Sequence, residues 1–185
     1  SANLTVKLVD STPPDFTIAP ISLTEDDFTN PAAVVGQSQF VVGHQSDPLV
    51  ATSAVFADQS ATLARLNGSG ISSDGHALTF EFTGDRLLTG YYLDGNGKRV
   101  EVLKAELTAS QHGSDIDGNV TVSLNGPLDH QGSDQLSLGL TVSAKEIDGD
   151  ETRADLVVSI SDGVDPRLGI DSGVTLQEGA SGQTL

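Results

Sequence analysis

Cysteine, methionine and tryptophan are absent from this chain of 185 residues, and basic residues are scarce. Without cysteine the chain forms neither a disulfide framework nor a thiolate metal site, so an extracellular setting requires another means of stiffening the fold, such as bound calcium. Nine Lys and Arg stand against 26 Asp and Glu, which gives a formal net charge of −17. This imbalance makes nucleic acid and anionic lipid poor partners.

Long apolar runs are also missing. No segment approaches the roughly 18–20 apolar residues of a membrane span, and the N-terminal residues show neither the basic region nor the apolar stretch of a signal peptide. We therefore expect no insertion into a membrane, and we expect the sequence to be a segment of a longer chain. Its length suits one domain of sandwich or barrel size with flanking segments.

The residues that the chain has in quantity are those of strands and turns. Twenty glycines and seven prolines accompany many Val, Thr, Ser and Asp residues, which favours an all-β fold. Apolar residues alternate along 136–144 and again along 154–160, on either side of an acidic turn, which predicts an antiparallel hairpin. Roughly ten short strands of this kind predict a sandwich of two sheets. The other predicted strands are residues 4–9, 16–23, 34–42, 50–56, 61–66, 77–82, 87–93, 99–107 and 119–124.

The two ends of the sequence repeat each other. Residues 4–14 align with residues 156–166, so that Asp162 repeats Asp10 at an offset of 152 residues, and after one inserted residue Glu178 repeats Glu25. A strand end, a linker with Asp and Pro, and a first strand thus occur twice at the spacing of one domain, which predicts a tandem array. We divide the chain into the last strand and linker of a preceding repeat (1–14), one sandwich domain (15–162), and the linker and first strand of a following repeat (163–185).

An ordered set of motifs extends over residues 10–166. It consists of SDGHALTF (73–80), LTG (88–90), RVEVL (99–103), GPLDH (126–130), IDGD (147–150) and ISDG (160–163). In this order the motifs closely resemble the tandem repeat domain of giant type I-secreted RTX adhesins of Gram-negative bacteria. The chain departs from the usual pattern at residues 110–118, which we interpret as an acidic loop inserted before the strand that begins at Asn119.

The resemblance implies a fold, a function and a location. Such repeats form immunoglobulin-like, Greek-key β-sandwiches, bind Ca²⁺ often at domain junctions, and serve as extenders between a membrane-side anchor and the ligand-binding domains of the adhesin. It implies an extracellular position on the bacterial surface, a role in biofilm formation or host attachment, and neighbouring repeats of the same chain as partners. We expect the isolated domain to be monomeric.

Acidic residues lie at both ends of the strand predicted over 154–161. Asp148 and Asp150 flank a glycine in the turn before this strand, and Asp162 and Asp165 follow it. Closely spaced carboxylates and the carbonyls of Gly-containing turns are the ligands that Ca²⁺ prefers. The direction of the strand places the turn far from the C-terminal linker, so we expect Asp10 of the N-terminal linker to approach it. A solvated hairpin turn is the alternative interpretation.

The same argument extends to the neighbouring repeats. Asp162 and Asp165 are expected to meet the corresponding acidic turn of the following repeat, while Glu25 and Glu178 complete the sites of successive repeats. Carboxylates brought together from two domains and a linker repel one another unless a cation binds between them. The sequence therefore predicts calcium sites that clamp the junctions.

A weaker metal-binding candidate lies in the predicted acidic loop. Asp115, Asp117 and Asn119 form a D-x-D-G-N run that resembles the start of an EF-hand loop. The twelfth position, where an EF-hand has glutamate, is Gly126, which excludes an EF-hand. A simple β-turn is favoured over another kind of calcium loop.

The sequence offers little support for catalysis. Asp129 and His130 suggest a hydrolase, but there is no Gly-x-Ser-x-Gly motif, and both residues belong to the adhesin-like GPLDH run. We interpret His130 as a structural or surface histidine, and the scattered remaining histidines predict no zinc site. We expect no enzyme. The alternative to an extender is a module of the same adhesin that binds a saccharide or peptide through residues 110–118 or 43–49.

Overall fold

Strands dominate the computed structural model, which describes residues 14–27, 32–45, 47–130 and 132–163. One α-helix, α1 (Gln59–Asn67), and two 3-10 helices, Glu25–Asp27 and Ala51–Ser53, lie between the strands of this part of the chain. The strands are β1 (Ile21–Thr24), β2 (Val34–Val42), β3 (Val55–Phe56), β4 (Ser72–Ser73), β5 (His76–Ala77), β6 (Thr79–Thr83), β7 (Leu87–Leu93), β8 (Arg99–His112), β9 (Asp115–Leu124), β10 (Gln135–Lys145) and β11 (Glu151–Ser161).

The strands form two main sheets. One has the order β1-β11-β10-β3 and the other the order β2-β9-β8-β7-β6, while β4 and β5 form a separate short hairpin. The predicted hairpin is confirmed, because β10 and β11 pair antiparallel from Gln135 opposite Ser161 to Lys145 opposite Glu151. Strand β1 pairs with β11 in parallel, with Thr24 opposite Ser161, so both strands end at the same edge of the sheet.

The two sheets enclose one apolar core, as alternating strand residues require. The ring of Phe56 in β3 packs against that of Phe82 in β6, with 5.8 Å between the ring centroids. The predicted all-β sandwich is thereby confirmed. Fully buried side chains come from both sheets and include Ile21, Leu103, Leu107, Val120, Leu124, Leu156 and Ile160.

Three segments differ from the sequence prediction. Residues 61–66, predicted as a strand, belong to α1, in which Thr62 and Leu66 are buried one helical turn apart and Arg65 donates a hydrogen bond to the Gly139 carbonyl of β10. Residues 16–20 precede β1 without strand pairing, and residues 50–56 divide into a 3-10 helix and β3. The Ala, Leu, Arg and Gln residues of α1 favour a helix, and the helix packs against β6 and β10, so a short apolar run had been assigned to the wrong kind of element.

The predicted acidic loop over residues 110–118 is also wrong. Strand β8 continues to His112 and β9 begins at Asp115, so this segment is the tip of a β-hairpin. Ile116, Gly118 and Val120 follow one another on the buried face of β9. Glycine is typical of turns, but Gly118 lies within a strand and lets the Phe40 ring pack closely against it. A Cβ atom at this position would lie 2.1 Å from Cζ of Phe40.

The chain crosses the sandwich from one end to the other. The Phe16 ring lies 5.4 Å from that of Phe40, and the Ala19 carbonyl accepts a hydrogen bond of 2.7 Å from Ser38 Oγ, so residues 14–20 run antiparallel to β2. They begin at the end where β2 finishes and where the turn over 146–150 lies, which we name the Asp148 end. Strands β1 and β11 finish at the opposite end, named the Asp162 end. Eleven residues of β11 separate the two by about 35 Å.

Candidate metal centres

A cluster of three carboxylates occupies the turn at the Asp148 end. One oxygen from each of Glu146, Asp148 and Asp150 lies within 4.8 Å of the other two. The turn closes tightly because Gly149 has a φ of 110°, which L-residues rarely adopt. The Glu146 amide donates to the Asp150 carbonyl at 2.8 Å, and the Asp150 amide donates to Asp148 Oδ1 at 3.3 Å. This backbone geometry brings the three side chains together, as predicted for Asp148 and Asp150.

Glu146 has an environment unusual for a carboxylate. The residue is only 3% exposed, and its Oε1 atom accepts one long hydrogen bond of 3.4 Å from the Gln45 amide. Its Oε2 atom is buried and accepts no hydrogen bond from any residue that the structure describes. Burying an ionised carboxylate with so few partners is costly, and a bound cation would offset that cost.

The neighbouring Glu151 provides a contrast. Its carboxylate lies 3.1 Å from Arg153 Nε and 3.5 Å from Lys145 Nζ. Burial opposes its ionisation, but a hydrogen bond with Ser143 and the charges of Arg153 and Lys145 outweigh burial and lower the pKa of Glu151. Two basic side chains thus lie beside the Glu151 carboxylate. In the described part of the chain, none lies equally close to the Glu146 carboxylate.

Residues 43–45 and 47–49 connect this turn to the β8–β9 hairpin. Leu49 forms a β-bridge with Glu146, and the Ile147 amide donates to the Pro48 carbonyl at 3.1 Å. On the other side, the amide of Leu49 donates to the Ser114 carbonyl at 3.1 Å. This segment therefore holds Glu146 in place, and its backbone is engaged within the domain.

The weaker candidate residues, Asp115, Asp117 and Asn119, are not part of the carboxylate cluster at the Asp148 end. Asp115 accepts hydrogen bonds from the backbone amide and the ring of His44, and the ring contact is the main reason that the pKa of Asp115 is lowered. Asp117 lies 3.2 Å from His112 Nδ1. Asn119 donates to Thr121 Oγ1 at 3.0 Å. All three lie in β9, in place of the predicted turn.

A second cluster lies at the Asp162 end and contains a histidine. One potential ligand atom from each of Glu25, His130 and Asp162 lies within 4.8 Å of the other two. Glu25 follows β1 and Asp162 follows β11, so the parallel pairing of these strands brings the carboxylates together. Glu25 is therefore placed with Asp162 and lies at the opposite end of the sandwich from the 148–150 turn. Three predicted ligands, Asp10, Asp165 and Glu178, lie outside the described residues.

Two members of these clusters, Glu146 and His130, were not predicted as metal ligands from the sequence. A signal for Glu146 exists, because the even-numbered residues of β10 point inward and Glu146 continues that series after Val142 and Ala144. His130 likewise lies two residues after the buried Leu128. A charged or polar residue that continues an inward-facing series is a candidate for a buried site.

An open groove runs beside the β8–β9 hairpin. It is lined by residues 15–17, 39–41, 108–110 and 117–119. The Oδ1 atom of Asn119, one of the lining residues, is buried and accepts no hydrogen bond from the described residues. The groove thus has an unused acceptor beside it.

Comparisons of the sequence with models of known protein families and with curated proteins found no match. In the described part of the chain, no helix has the length and apolar character needed to cross a membrane.

Proposed function

We propose that this chain contributes a calcium-rigidified extender domain to a bacterial cell-surface adhesin. The observation that carries the proposal is the path of the chain, which enters the sandwich at the Asp148 end and leaves it at the Asp162 end. Copies joined in tandem by short linkers would then stand end to end, and each would add about 35 Å of reach. The resemblance to RTX adhesin repeats supports an immunoglobulin-like topology and an extracellular location.

Calcium is the cation that best suits the Asp148 end. The cluster offers only oxygen ligands, and two oxygens that share a calcium ion at about 2.4 Å each are at most about 4.8 Å apart. The three carboxylates of the cluster meet this limit, and the buried Oε2 atom of Glu146 lacks another partner among the described residues. A bound ion would join the β10–β11 turn to Gln45 and to residues 48–49 and stiffen the end at which the chain enters.

A calcium titration of thermal stability tests this function. We expect the melting temperature of the chain to rise with calcium, since an ion at a hundred times its Kd stabilises the folded state by about 2.7 kcal/mol. In Glu146→Gln the response should be lost, and with a chelator present the variant should be at least as stable as the parent chain because a buried charge has been removed.

Glu151→Gln is the matched control for this titration. It removes a carboxylate from the same turn that already has Lys145 and Arg153 as partners, so its calcium response should persist. A parent chain whose melting temperature is unchanged by millimolar calcium would contradict the proposal.

A ligand-binding module of the same adhesin is the second candidate, favoured by the groove and by the unpartnered acceptor of Asn119. Such a module would recognise a hydroxyl-rich saccharide or an extended peptide through hydrogen bonds at this groove. A glycan array probed with the chain distinguishes the candidates, because a selective signal that Asn119→Ala abolishes would favour the module over the extender.

A further inference from the structure

The cluster at the Asp162 end differs chemically from the one at the Asp148 end. It combines two carboxylates with an imidazole, whereas the other cluster consists of carboxylates alone. Calcium takes oxygen ligands, while Zn²⁺ and other divalent transition metals bind the nitrogen of histidine together with carboxylate oxygens. The donor set thus favours a different class of ion.

Two members of this cluster are withdrawn from water. The side chains of His130 and Glu25 are 4% and 9% exposed, while Asp162 remains exposed. The separation of 3.4 Å between His130 Nε2 and Glu25 Oε1 is long for a hydrogen bond, which is usually 2.7–3.2 Å. It equals the separation of about 3.4 Å expected between two ligands of a tetrahedral ion bound at about 2.1 Å.

The side chain of His130 has one hydrogen-bond contact in the described part of the chain, the one between Nε2 and Glu25 Oε1. Its Nδ1 atom is buried and has no hydrogen-bond partner among the described residues. A neutral imidazole binds a metal ion through its acceptor nitrogen, so Nε2 is the ring nitrogen that is placed to do so here.

Backbone groups already hold the carboxylates in position. Leu128 donates its amide to Glu25 Oε1 at 2.8 Å, and Gly163 donates its amide to Asp162 Oδ1 at 2.8 Å. The amide of Asp162 in turn donates to the Asp134 carbonyl at 3.0 Å. Hydrogen bonds of this kind orient the ligands of protein metal sites.

From these observations we propose that Glu25, His130 and Asp162 bind a divalent transition metal ion, with Zn²⁺ as the preferred ion and water in the remaining position. This site is separate from the calcium site at the Asp148 end and does not depend on the extender function. Glu25 and Asp162, which the sequence predicted as calcium ligands, are thereby assigned to a different ion because His130 lies with them. An ion here would join β1, β11 and the segment between β9 and β10 where the chain leaves the sandwich.

Calorimetric titration of the chain with zinc chloride, in millimolar calcium, tests the proposal. We expect the chain to bind one equivalent of zinc. His130→Gln and Asp162→Asn should each weaken zinc binding more than about tenfold, because changing residues that only orient metal ligands already causes a loss of that size. Asp162 is exposed and lies beyond β11, so Asp162→Asn should fold even if His130→Gln does not. Cobalt should give the intense visible absorption of a tetrahedral ion.

His112→Gln and His44→Gln are the controls, because both histidines lie beside aspartates far from the Asp162 end. Zinc binding should be retained in both. The proposal is overturned if the parent chain binds no zinc, if Asp162→Asn binds zinc as tightly as the parent chain, or if binding is lost in a control. The calcium response of the Glu146 turn should be the same in all four variants. Failure of the zinc proposal can therefore be distinguished from failure of the extender proposal.

Discussion

At the scale of single residues, Gly118 sets how closely β9 and the Phe40 ring approach each other. A methyl group at this position would lie 2.1 Å from Phe40 Cζ and 2.4 Å from Cε2, so the ring would have to leave its place in the core. We expect Gly118→Ala to lower the free energy of unfolding by about 1–3 kcal/mol, as overpacked core substitutions do. Urea denaturation followed by circular dichroism measures the change.

Gly95→Ala is the control for this substitution. Gly95 lies in the β7–β8 turn, has no heavy atom within 4 Å of an added Cβ and does not have a positive φ. Its effect should stay within about 0.5 kcal/mol. Equal stability of the two variants would contradict the packing described for Gly118.

At the scale of elements, α1 completes the hydrogen bonding of the edge strand β6. The Asn67 side chain at the end of the helix accepts from the Phe80 amide at 2.7 Å and donates to the Phe80 carbonyl at 3.1 Å. It thereby takes the place of a neighbouring strand. We expect Asn67→Ala to cost about 1–3 kcal/mol of unfolding free energy, because both backbone groups lose their partner. Thermal denaturation measures this cost.

Two variants sharpen this prediction. Asn67→Asp keeps the acceptor and loses the donor, so its stability should lie between those of the parent chain and Asn67→Ala. Asn96→Ala removes an exposed amide side chain from the β7–β8 turn and should be nearly neutral. The proposed role of Asn67 is refuted if Asn67→Ala and the parent chain have the same melting temperature.

The elements also show how far local patterns predict this fold. The β10–β11 hairpin was predictable because its apolar residues alternate over most of its length and its turn contains Asp-Gly. Helix α1 was not, because a short apolar run fits both a strand and a helix, and because the position of α1 depends on Arg65 reaching Gly139 and Asn67 reaching Phe80, residues distant in sequence.

The candidate sites were likewise predictable only where their residues are close in sequence. Asp148 and Asp150 are close in sequence, so their convergence in a turn was predictable. The grouping of Glu25, His130 and Asp162 was not, because it depends on the parallel register of β1 with β11 and on the path of the chain after β9.

At the scale of the whole molecule, the net charge of −17 opposes folding through self-repulsion. Raising the concentration of NaCl from 0.01 to 1 M shortens the Debye length from about 30 to about 3 Å. With a chelator present at pH 7, we expect the melting temperature to rise by several degrees over this range. The same titration near the isoelectric point of about 4.2 is the control, where the effect should vanish. A melting temperature that does not change with the NaCl concentration at pH 7 would contradict this prediction.

The parallel pairing of β1 with β11 determines how the domain responds to tension. A pull on Pro14 and Gly163 in opposite directions along the sandwich draws β1 toward the Asp148 end and β11 toward the Asp162 end. Because both strands lie along the line of force, the hydrogen bonds between Ile21–Thr24 and residues 158–161 are loaded together in shear. These hydrogen bonds must break nearly simultaneously before the two strands can separate. The domain therefore resists stretching most strongly along the direction in which its chain runs.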